Sequence, residues 1–260
     1  MMTNEELLKV IEEARRSGAA RLNLSNEGIE TLPPEIGLLS KLTELNLWMN
    51  RLSDLPPEIG RLVSLQKINL DYNRLAALPP EISQWQNLEA LHLNHNQLAD
   101  LPPEIGLLGN LRALNLGHNQ LAAVPPAICL LTKLESLDLG YNALSSLPPE
   151  LCQLAALKRL WLDSNKLILL PEEISQLRRL AFLNVRKNQI SKLPQGLFQI
   201  RSLVRGVFDE NPLASPPLSI IRQGIGAARR HLAAQEKSRL RSGLLRPSGA
   251  AGQVPGKKRR

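Results

Sequence analysis

The sequence predicts an α/β solenoid of about nine 23-residue coils, with a parallel β-sheet on the concave side and short helices or 3-10 turns on the convex side. Asparagine recurs at Asn50, Asn73, Asn96, Asn119, Asn142, Asn165, Asn188 and Asn211 with no slip in register. One aliphatic set surrounds each: Leu42, Leu45, Leu47, Leu52, Leu55, Ile59 and Leu62 about Asn50, and Leu157, Leu160, Leu162, Leu167, Leu170, Ile174 and Leu177 about Asn165. The chain is 43% hydrophobic but only 3% aromatic, a balance that fills many thin layers better than one large core.

Each column answers a physical requirement. Leu45 and Leu47 alternate with Glu44, Asn46 and Trp48, so a short strand points leucines inward and the intervening residues onto the concave face. An asparagine amide has two donors and an acceptor, enough to satisfy a turning backbone and to bridge neighbouring coils. The Leu-Pro-Pro-Glu-Ile runs at Leu55–Ile59, Leu78–Ile82 and Leu101–Ile105 place proline at the first turn of a short convex helix, where no donor is needed. One coil cannot bury its own leucines; stability comes from stacking, and the ends need covers.

The ends read accordingly. An edge coil keeps Leu22, Leu24, Ile29, Leu32 and Ile36 but has Glu27 in place of asparagine, and the last coil puts Gly206 and Pro216 at leucine positions. Residues 1–18 are expected to form a capping helix, with Thr3 and Glu6 at capping-box spacing, an apolar stripe of Leu7, Val10, Ile11 and Ala14, and a stop at Gly18. The solenoid takes 19–217. Residues 218–242 are expected to form a second capping helix, weakened by Gly224 and Gly226, and 243–260 a disordered basic tail ending Lys-Lys-Arg-Arg.

A 23-residue period and the pattern Leu-x-x-Leu-x-Leu-x-x-Asn-x-Leu identify a leucine-rich-repeat solenoid. With Leu-Pro-Pro-Glu-Ile-Gly, it resembles the Ras-group repeats of Ras suppressor, Scribble-type scaffolds, plant intracellular Ras-group proteins and Roco proteins over about residues 19–217. The flanks, Glu5–Ala20 before Arg-Leu-Asn-Leu-Ser and Asn211-Pro-Leu-Ala-Ser-Pro-Pro near a closing helix, are most similar to the Roco repeat region. The resemblance implies a signalling scaffold, with a small GTPase or another signalling protein as partner. No Gly-x-x-x-x-Gly-Lys-Ser/Thr run occurs, and Gly252–Lys258 fails its spacing and its final hydroxyl, so nucleotide binding does not carry over. Repeats joined to a bacterial ubiquitin ligase are shorter, and neither cysteine here resembles that nucleophile.

Candidate contact residues are the outward positions. Met49, Tyr72, His95, His118 and Tyr141 precede the asparagines and read either as a stacked ladder of the repeat or as a stripe about 19 Å long at the ~4.8 Å strand spacing. His92, His95 and His118 lie on or beside concave strands, but no cysteine or carboxylate completes a ligand set, so no metal or other cofactor is expected. Asp138 is a further outward candidate. Arg159, Trp161 and Asp163 should adjoin Phe182, Asn184 and Arg186, large groups where the repeat demands none, and aromatics and arginine are enriched in interface hot spots. Trp48 stands as a second, isolated candidate. Trp85 replaces a convex leucine and belongs to the core.

Charge separates body from tail. From Leu218 onward eleven Lys or Arg face only Glu236, while the whole chain carries +8, so the body is slightly acidic. Two cysteines, Cys129 and Cys152, at equivalent points of adjacent coils read as small residues on the convex side rather than a disulfide, and the acidic N-terminus is unlike a signal peptide. The stretch poorest in charge, Leu121–Leu131, falls short of the roughly 20 residues of a membrane span. The expectation is a cytoplasmic monomer that binds another protein on its concave face and catalyses nothing. The alternative is a regulatory or targeting protein whose tail holds anionic lipid or nucleic acid, although residues 218–260 contain no aromatic residue to stack on bases.

Overall fold

The computed structural model describes residues 2–241. Nine three-residue strands form one parallel sheet in strict chain order: β1 Arg21–Asn23, β2 Glu44–Asn46, β3 Lys67–Asn69, β4 Ala90–His92, β5 Ala113–Asn115, β6 Ser136–Asp138, β7 Arg159–Trp161, β8 Phe182–Asn184 and β9 Arg205–Val207. The register is 23 residues throughout, Leu45 opposite Ile68 and Leu160 opposite Leu183. The first eight coils return through a five-residue 3-10 helix such as Pro57–Arg61 or Pro103–Leu107, opened by a proline pair in the first six and by a single proline, Pro171 or Pro194, in the next two. Single 3-10 turns suffice because only five residues separate the proline from the next turn, too few for a stable α-helix.

The core is a stack of leucine layers. Leu47, Leu70, Leu93, Leu116, Leu139 and Leu162 are fully buried, as are the convex isoleucines Ile59, Ile82, Ile105 and Ile128. Trp85 is also fully buried, and its indole Nε1 donates to the Ile59 carbonyl at 2.9 Å, so the one polar atom of the ring is satisfied.

The asparagine column ties coil to coil. Asn96 Nδ2 donates to Leu70 O at 3.0 Å and to Leu93 O at 3.1 Å, while its Oδ1 accepts the Leu75 N–H at 2.9 Å. The same three partners recur for Asn73, Asn119, Asn142, Asn165, Asn188 and Asn211. At the first coil Asn50 Oδ1 accepts from both Glu27 N–H and Ile29 N–H. Among the described residues no buried side-chain nitrogen or oxygen lacks a partner.

Helix α1, Asn4–Ser17, has a reciprocal capping box between Thr3 and Glu6, ends on Gly18 at φ 64°, and buries Leu7, Ile11 and Ala14. The closing segment differs from the single helix expected over 218–242. It is two helices, α2 Leu218–Ile221 and α3 Ile225–Arg241, because Gly224 takes φ 99°, where the right-handed helix cannot continue. Arg229 pins α3 by donating to the Phe198, Ile200 and Leu203 carbonyls. The basic tail, 243–260, lies outside the described residues.

Candidate functional site

Two surfaces share the concave face. The middle of its floor is small: Ala90 and Ala113 begin β4 and β5, Ser136 begins β6, and Gly117 and Gly140 stand two residues past β5 and β6. A Cβ on Gly117 would come within 3.0 Å of Asn94 Oδ1, because that oxygen already accepts the Gly117 N–H at 2.7 Å. Asp71 Oδ1 likewise accepts the Asn94 N–H at 2.6 Å, and Asp138 Oδ1 the Gly140 N–H at 2.9 Å. Polar side chains thus close the ends of the strands, and His92 joins them through Nδ1 against Asn115 Nδ2 at 2.8 Å.

Beside this floor runs a ring ladder. Tyr72, His95, His118 and Tyr141 stack in succession, with centroids 4.0, 3.9 and 3.9 Å apart and planes within 12–14° of parallel. All four have left-handed backbone at φ 53–58°, and Asn26, Met49, Ser164, Lys187 and Glu210 in the same column take φ 53–59°. Left-handed geometry is costly for bulky residues, and ring stacking at about 0.5–1.5 kcal/mol per pair offsets part of it. The stacked rings run from Tyr72 to Tyr141, and Met49 holds the preceding place in the same column. Trp48 is not isolated: it meets Tyr72 edge-on at 6.0 Å and 76°.

Burial unbalances the charges here. It pushes the Asp71 carboxyl up to about 6, with the Asp138 charge adding to the rise. Asp138 and Asp163 are raised for the same first cause. His92, His95 and His118 are held below the usual imidazole value, again mainly by desolvation.

The second surface lies at β7–β9. Trp161 and Phe182 tilt against one another at 5.1 Å and 46°, each half-buried. Arg159 pairs in register with Phe182, and Phe182 with Arg205, whose guanidinium sits 5.7 Å over the phenyl ring. Asp163 Oδ1 accepts from Asn184 Nδ2 at 2.8 Å. Arg186 is committed to Glu210, donating through Nε at 2.8 Å, and its charge also acts on Asp163. Arg205 was missed in the sequence, since the last coil reads as a decaying end, although its column, the first residue of each strand, contains Arg159 and Phe182.

Both cysteines are free, and burial pushes the Cys152 thiol up to about 12. Among the described residues no three His, Cys, Asp or Glu side chains gather to hold a metal ion, and no helix is long and apolar enough to cross a membrane.

Comparison with known proteins agrees with this geometry. The chain is 36% identical to a leucine-rich-repeat protein of Leptospira interrogans at a TM-score of 0.69, over 81% of this chain and 60% of that one, less than two thirds of its length. It is 25% identical to internalin C2 of Listeria monocytogenes at a TM-score of 0.69, over 78% of this chain and 92% of that one. A plant peptide hormone receptor, solved in complex with RGF2, is 31% identical at a TM-score of 0.64, over 70% of this chain and 30% of that one. No curated protein sequence matches. The leucine-rich-repeat family model matches five overlapping stretches, 17–75, 63–121, 86–144, 109–167 and 132–190, more than half of the chain. With its nine coils, parallel sheet and asparagine column, this chain belongs to the leucine-rich-repeat family.

Proposed function

We propose that the chain is a non-enzymatic protein-interaction module whose contact surface is the concave face, centred on Trp161 and Phe182. The carrying observation is that these two rings leave the leucine layers and meet at 5.1 Å on a surface where the repeat requires no aromatic residue. The plant peptide hormone receptor that shares this fold was solved in complex with RGF2, which supports the reading. By the Ras-group resemblance the partner is a signalling protein, a small GTPase among them, and the chain works as a scaffold in the cytoplasm.

Crosslinking capture from native lysate tests this. Trp161→Ala is expected to cost at least about 2 kcal/mol of binding, roughly 30-fold in affinity, with little change in melting temperature. Glu104→Ala and Gln153→Ala, on the convex 3-10 helices, should capture as the parent does. Undiminished capture by both Trp161→Ala and Phe182→Ala would reject the concave-face reading.

A further inference from the structure

The β7–β9 end of the concave face carries a charge pattern that neither folding nor the aromatic pair explains. Lys158, Arg159, Arg178, Arg179, Arg201 and Arg205 are all exposed on the strands and on the rim from which the strands start. Among the described residues only Lys158 of these six has an ion-pair partner, Glu135 at 2.7 Å. Elsewhere along the same rim the charges alternate or vanish: Glu44 pairs in register with Lys67, and Ala90 with Ala113. Apart from Lys158, the cations gathered on these three consecutive coils have no ion-pair partner among the described residues, and exposed like charges at close range repel. Their clustering acts against the fold and asks for an anionic partner.

The spacing specifies the partner further. Arg159, Phe182 and Arg205 stand in one row across β7, β8 and β9, so the two guanidinium groups start two strand spacings apart, roughly 10 Å, with a phenyl ring between. An α-helix laid along the solenoid advances about 5.4 Å per turn against a strand spacing of ~4.8 Å, nearly one turn per coil. Residues i and i+7 of such a helix, about 10.5 Å apart, then face Arg159 and Arg205, and i+3 or i+4 faces Phe182 and Trp161. A strand of a nucleic-acid duplex carries a charge every ~3.4 Å and would set about four phosphates along a row that offers two cations, Arg159 and Arg205. A flat bilayer reaches the rim but not the floor of a concave surface.

Resting on the concave-face reading, we propose that β7–β9 is a docking site for an acidic amphipathic helix of a partner protein, with one apolar side chain between two carboxylates seven residues apart. Carboxylates pair with Arg159 and Arg205, and the apolar group packs on Trp161 and Phe182.

The test is a selection of displayed random 16-residue peptides on the immobilised full chain, with affinities of the selected peptides measured by fluorescence anisotropy. Acids at i and i+7 with an apolar residue at i+3 or i+4 are expected, weakening with salt. Arg159→Gln with Arg205→Gln should reduce their affinity about tenfold, as the loss of two partly exposed charge pairs implies. Arg159→Glu with Arg205→Glu should regain affinity for the same peptides once their two acids are changed to lysine. An empty selection, winners lacking the acidic spacing, or equal affinity for the double glutamine variant overturns the proposal. So does stronger Arg159- and Arg205-dependent retention of phosphatidylserine vesicles or of a 16-nucleotide single-stranded DNA than of the selected peptides. If Trp161→Ala abolishes peptide binding while the arginine variants do not, the acidic helix falls and the concave-face function stands. Indifference to all of them removes both.

Discussion

Asn96 and His95 are neighbours in the chain and opposites in what fixes them. Asn96 is buried and its side chain makes the bonds that join two coils, so its chemistry is prescribed. His95 is held by its backbone, at φ 54°, while its ring lies in the open stack between Tyr72 and His118. One column therefore stays asparagine along eight coils, whereas the other holds Asn, Met, Tyr, His, Ser, Lys and Glu. The repeat constrains a side chain where backbone groups need partners, and only a dihedral angle one residue earlier. Freedom in that second column is what allows the protein to place aromatic and titratable groups on its concave face.

The sharpest way to break this contrast is Asn96→Ala. It leaves the Leu75 N–H without its acceptor in a dry interior and takes one of two amide donors from each of the Leu70 and Leu93 carbonyls, which keep Asn73 and Asn119, and is expected to cost about 1–3 kcal/mol. Because the amide does not titrate, the loss should be the same at every pH. Thermal melts at pH 5 and pH 8 check it; a variant as stable as its parent would show that water replaces the amide. Glu27→Ala, at the capped edge of the first coil, should cost much less, because the Glu27 bonds to Asn50 and Met2 run through its backbone.

How legible each feature was follows from the same contrast. The sheet, its register and the coil length were visible because leucine spacing and asparagine each meet one physical demand that no other residue meets as well. The left-handed column was invisible as such, since its occupants share no side-chain property and glycine, the usual marker of positive φ, is absent from it. Trp161 with Phe182 was foreseeable because large groups at unconstrained positions need a reason beyond folding. Arg205 was not, because Gly206 beside it marks the coil as degenerate. The structure supplies the reason for that glycine: a Cβ there would lie 2.2 Å from the Phe208 ring, which with Ile225 fills the leucine's space. The break between α2 and α3 was half visible, since Gly224 weakens a helix without dictating where the chain turns.

A second test sharpens the contrast by adding charge to it. Asp71, just before Tyr72, keeps its proton up to about pH 6 in the folded chain because burial penalises its charged form. Its folded pKa lies above its unfolded value, so it favours folding at low pH, and that advantage is lost as pH rises through about 6. Asp71→Asn keeps an acceptor for the Asn94 N–H and removes the charge. Discounted for the part of the carboxyl that water still reaches, the variant should exceed its parent by about 1 kcal/mol at pH 8 and match it at pH 4. Chemical denaturation at the two pH values decides it, and equal stability at pH 8 would mean that the carboxylate is solvated where it sits.

The smallest effect belongs to the histidines. His95 and His118 are both held below the ordinary imidazole value, chiefly by desolvation, and the charge of His118 lowers His95 further while Asp138 opposes the shift. With the folded pKa below the unfolded one, unfolded chains take up protons first, so stability is full above about pH 6.5 and falls as pH drops below it. Asp71 acts with the opposite sign over the same range, so the measurement needs the Asp71→Asn background. There, changing His95 and His118 together to phenylalanine keeps two flat rings in the stack and removes their titration. The parent background should lose melting temperature between pH 7.5 and pH 5 relative to the phenylalanine pair. The difference should stay below about 1 kcal/mol, since both rings are partly open to water and screened. Asp138 and Asp163 are present in both proteins and cancel to first order. Parallel profiles would mean that the ladder accepts imidazolium as readily as water does, and the aromatic column would then be as indifferent to pH as the asparagine column beside it.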